Sequence, residues 1–105
     1  PGRFAAALAL LMQWGGPEKL LWGTGCTVTH PQHLIELMWA FRLSDELLDR
    51  HGIPQIDEGV TRAILGGNYA RMIGRTVDEL RARQAGDAWD GERQLAPPWS
   101  SWMAA

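Results

Sequence analysis

One short run, Lys19-Leu20-Leu21-Trp22-Gly23, restricts more than any other feature what this chain can fold into. Its apolar residues are consecutive and stand between turn signals, the habit of a strand covered on both faces in a parallel sheet. No second run of comparable quality occurs in the 105 residues. A lone buried strand leaves backbone donors and acceptors without partners, at a cost comparable to lost hydrogen bonds, so this reading requires strands from another source.

The remainder reads as helices. Ten of the twelve residues from Arg3 to Trp14 are apolar, which predicts a helix buried on more than one side, stopped by Gly15-Gly16-Pro17. Thr29-His30-Pro31 is a helix start, and Leu34, Leu37, Met38 and Phe41 follow at helical spacing, with Ile35 and Trp39 as a second apolar face. Ser44, Asp45 and Glu46 restart or continue that helix, which ends at Arg50 and His51 with Gly52 as its cap. Asp57 caps a helix carrying Val60, Ile64 and Leu65 that Gly66-Gly67 closes, Asn68 opens another short helix ended by Gly74, and Thr76 with Glu79 has capping-box spacing before a last helix to about Ala85.

Composition narrows the function. Ten basic against twelve acidic side chains leave a net charge of −2, so no positive field exists to hold a phosphate backbone, and nucleic acid is excluded as the expected partner. Cys26, the single cysteine, has no intramolecular partner for a disulfide, which makes the cytoplasm the default compartment. The apolar stretch Phe4 to Met12 spans about 14 Å as a helix, far short of the roughly 30 Å hydrocarbon core, so no membrane association is expected. Pro1 in place of an initiator methionine suggests processing or truncation.

Taken together, Pro17 to Thr24, His30-Pro31 and the segment Ile64-Leu65-Gly66-Gly67-Asn68-Tyr69-Ala70-Arg71-Met72-Ile73-Gly74 resemble the end of the amidohydrolase-related proteins, in the branch of aminocarboxymuconate-semialdehyde decarboxylase and its hydrolase relatives. The resemblance covers roughly residues 1–85. It implies an α/β fold, the C-terminal portion of a (β/α)8 TIM-type barrel, mostly helical within this chain and with one buried strand near residues 19–23. It implies a metal-dependent hydrolase or non-oxidative decarboxylase acting on a small molecule, with a divalent ion, zinc or manganese, that activates water or assists decarboxylation. The chain departs from the family in two ways. It is too short to carry the histidine ligands of the earlier strands, and Gly25 stands where the family places a strand-eight aspartate.

Among candidate site residues, His30 is the proposed catalytic group, since imidazole binds metal and moves protons near neutral pH. The structural reading, an ordinary helix entrance, is the more frequent one for such a residue. Cys26 is the candidate metal ligand, against a buried inert thiol as the commoner case. His30 and His33 could share a helix face, but two histidines without a third ligand make a poor zinc site. Asp45, Glu46 and Asp49 read as a solvated helix start and Asn68 as structural. Trp14, Trp22 and Trp39 are expected in core or interface. The stretch 86–105, with Trp89, Trp99 and Trp102, is an irregular tail expected to lie along another subunit.

The function expected from the residues is therefore one wall of a metal-dependent enzyme that is incomplete by itself and needs a companion chain or a homo-oligomer. The alternative is a non-catalytic helical interaction or scaffold subunit derived from the same fold, with Gly25 marking lost chemistry.

Overall fold

The computed structural model describes residues 2–25 and 31–88. Six α-helices follow one another: α1 (Arg3–Gly15), α2 (Gln32–Ala40), α3 (Asp45–His51), α4 (Glu58–Arg62), α5 (Asn68–Met72) and α6 (Val77–Gln84). A 3-10 turn, Pro17–Lys19, follows α1, and a π-helical turn, Ala63–Gly67, joins α4 to α5 in one continuous rod.

The α/β expectation is overturned, because no strand occurs among the described residues. The run that reads as a strand begins inside the 3-10 turn and then continues without regular secondary structure to Gly25. The physical reason lies in its partner. Trp22 N–H donates to the Ile64 carbonyl at 3.1 Å, within the π turn, so a helix supplies the acceptor that a neighbouring strand was expected to supply. With no sheet among the described residues, these do not form the closing portion of a (β/α)8 barrel.

A second correction concerns Gly66-Gly67. These glycines do not close a helix; they sit inside the π turn, where the Asn68 N–H reaches back to the Ala63 carbonyl. Widening the turn by one residue redirects local carbonyls, a common property of π insertions, and here the redirected side faces the extended chain.

Local chemistry sets the other boundaries. Phe41 turns to extended backbone after α2, so α3 is a separate helix, and it ends with Gly52 in the left-handed region at φ 59°. The Asp57 carboxylate accepts from Val60 N–H at 2.8 Å. Thr76 and Glu79 complete a capping box, each side chain accepting from the other's backbone N–H.

The core forms where α1 meets α3. Ala5, Leu8, Ala9 and Met12 of α1 pack with Leu47, Met38, Leu43, Ile56 and Ile64. The two ends of the segment that carries α3 are fastened by Gln55, whose side-chain amide imitates a peptide: its Oε1 accepts from Leu43 N–H and Ile56 N–H, and its Nε2 donates to the Leu43 carbonyl, each at 2.9 Å. His51 Nδ1 lies 2.7 Å from Gln13 Oε1 and ties α3 to α1.

Two buried polar groups among the described residues are left over, the Trp22 indole N–H and the Thr61 hydroxyl. Thr61 is fully buried on α4, and its hydroxyl has no hydrogen-bond partner. A desolvated hydroxyl without a partner costs about 1–3 kcal/mol. Thr61→Val keeps the branched shape and removes that cost, so it should raise the urea midpoint by the equivalent of about 1 kcal/mol. An unchanged or lower midpoint would show that the hydroxyl is satisfied in solution.

Candidate functional site

The two segments that carry the family resemblance meet in space. Asn68 is buried, 2% exposed, and its Nδ2 donates to the carbonyls of Pro17 and Leu20, each at 2.8 Å. Its Oδ1 accepts from Arg71, which also donates to the Glu18 carbonyl at 2.6 Å. Both amide protons are thus spent on backbone, and Asn68 is a latch between the rod and the 17–20 turn. The turn has carbonyls to offer because a 3-10 segment this short satisfies few of its own.

Beyond the latch, Trp22 lies against an apolar cleft of about 360 Å³ formed with Phe4, Leu34, Leu37, Met38 and Phe41. Phe4 and Phe41 meet edge to face with ring centroids 5.2 Å apart. The Trp22 indole N–H is buried and has no acceptor. A second, more polar cleft of about 430 Å³ opens between Trp39, Arg62, Gly67, Val77 and Arg81. There the Arg62 guanidinium stacks 5.0 Å from the centre of the Trp39 ring while pairing with Glu58.

The sequence-derived site residues fare unevenly. Cys26 and His30 lie outside the described residues, as do Trp89, Trp99 and Trp102. His33 is half-buried at the first turn of α2. Gly25 has φ +62°, and a Cβ built on it would meet nothing within 4 Å. Room for a side chain exists there, but the left-handed backbone disfavours one and suits glycine. No three or more His, Cys, Asp or Glu residues are grouped so as to hold a metal ion among the described residues. Asp45, Glu46 and Asp49 are exposed, with Glu46 paired to Arg50 one turn on.

For Trp14 the structure removes the core half of the core-or-interface expectation: it is 81% exposed. Sequence reasoning missed Gln55 and Arg71, whose bonds reach backbone 12 and 53 residues away. No local pattern announces such contacts.

Among the described residues, no helix is long and apolar enough to cross a membrane. Compared with known proteins, the chain matches no family model, no curated protein and no solved structure.

Proposed function

We propose that this chain is the end portion of a metal-dependent hydrolase or non-oxidative decarboxylase acting on a small molecule, and that further polypeptide supplies the metal ligands. The observation that supports this reading is the Asn68 latch, which joins the 17–24 and 64–74 segments on which the resemblance rests. The latch fixes Leu20 and with it the chain that leads through Trp22 to Gly25, just upstream of Cys26 and His30 in the sequence. His30 is the residue of this chain assigned to proton transfer or ligation, and Cys26 the weaker candidate ligand.

On this reading the chain alone retains no catalytic metal, because tight zinc binding takes three or four well-placed ligands. After dialysis, metal analysis of the isolated chain should find less than stoichiometric zinc and manganese. Stoichiometric metal that is lost with His30→Ala or Cys26→Ser would place a complete site here and refute that expectation. The enzyme reading itself is tested on the native assembly. Retained zinc or manganese, with hydrolysis or decarboxylation that falls at least tenfold in His30→Ala, supports it, and an assembly with neither removes it.

A second reading, a non-catalytic helical interaction subunit, is favoured by Gly25, which offers no carboxylate where the chemistry of the resembled family needs one. It predicts an assembly of unchanged composition and stability after His30→Ala, with no turnover in either form.

A further inference from the structure

Helix α1 carries two apolar faces; one is buried in the core, and the other meets this chain where Phe4 packs on Phe41 but stays largely exposed. Ala5, Leu8, Ala9 and Met12 are buried, while Phe4, Ala7, Leu11 and Trp14 face solvent. The exposed four recur at intervals of three, four and three residues, the spacing of a helix-pairing seam rather than of scattered surface apolars. Phe4 is 54%, Leu11 55% and Trp14 81% exposed. No charged residue occurs between Arg3 and Glu18, so nothing along the seam opposes burial.

We propose that α1 is a homodimer seam that packs antiparallel against α1 of a second copy about a two-fold axis. Self-complementarity points to a second copy. The four positions are symmetric about residue 9, so antiparallel pairing sets each Phe4 against the second copy's Trp14 and each Ala7 against its Leu11. The inner pairs match small to large, and the outer pairs bring two rings together in reach of an edge-to-face arrangement. The same register sets Arg3 of each copy opposite the other's Gly15, next to Trp14, where a guanidinium can stack on indole.

The area is adequate. Phe4, Leu11 and Trp14, with exposed Leu37 across the cleft that Phe4 lines, offer roughly 500 Å² per copy, given about 150–250 Å² for a whole aromatic side chain. With the flanking, half-exposed Leu10 the two copies together would bury on the order of 1,000 Å², the lower bound for a specific protein interface. This inference stands on α1 alone and does not rest on the hydrolase reading.

The test is the mass of the purified full chain by light scattering and sedimentation at micromolar concentration. Twice the 11.7 kDa chain mass is expected for the wild type, and a single chain for Leu11→Glu with its far-UV helical spectrum retained. Met72→Glu, an equally exposed apolar position on α5, should leave the dimer intact. Should Leu11→Glu unfold the chain, disulfide trapping decides. In a Cys26→Ser background, oxidising a mixture of Ala7→Cys and Leu11→Cys chains should link unlike chains in preference to like ones. A monomeric wild type, a dimer that survives a folded Leu11→Glu, dissociation by Met72→Glu, or trapping of like chains in preference to unlike ones would each overturn the proposal.

Discussion

Asn68→Ala should lower the unfolding free energy by roughly 2–4 kcal/mol, since it strips two part-buried carbonyls of their donor and opens a hole beneath the 17–20 turn. A domain of this length has about 5–15 kcal/mol in total, so the loss removes a large share of its stability. Asn68→Asp is expected to be worse. The carboxylate has no proton to donate and would face two carbonyl oxygens at hydrogen-bond distance, leaving only its contact with Arg71 favourable. Urea unfolding followed by circular dichroism measures both variants at one protein concentration, because association would otherwise shift the midpoint. A change below about 0.5 kcal/mol in Asn68→Ala, the usual range of surface substitutions, would mean that the latch is not formed in solution.

Ile56→Ala is the second large effect. Ile56 is 0% exposed in the loop before α4, within the cluster that joins α1, α3 and the π turn. Truncation there should cost roughly 2–5 kcal/mol, the transfer of the lost methyl and methylene groups plus the cavity left behind. Ile56→Val should cost only about 0.5–1.5 kcal/mol. At about 4–8 °C per kcal/mol for a domain near this size, the alanine variant should melt at least roughly 10 °C lower. Equal melting temperatures for alanine and valine would show that the site is loosely packed and able to close over the vacancy.

The apolar surface of the molecule gives these stability predictions their context. Trp14, Leu37 and Met72 are each more than half exposed, an arrangement that a small domain tolerates only with something to cover it. A seam through α1 covers the first two, and Met72, on the far rod, remains available for the further polypeptide that the enzyme reading requires.

Much of the helical outline was legible because its signals are local. Asp57, Thr76 with Glu79, and Gly52 act on backbone groups within a turn of themselves, so a short stretch of sequence suffices to read them. The doubled apolar character of Arg3 to Trp14 was equally readable and anticipates a helix with two faces to bury. The candidate site was less legible: neither spacing nor residue type revealed that Asn68 and Arg71 would fix the segment ahead of Gly25.

The sequence by itself determined the capped helix ends at Asp57, Thr76 and Gly52 and that α1 is apolar on two sides, since caps, glycines and periodicity act over a few residues. Only the tertiary structure decided the fate of Lys19 to Gly23. An apolar extended run satisfies its backbone with whichever partner reaches it, and here the partners are Ile64 and Asn68, more than forty residues away, on a helix rather than on a strand.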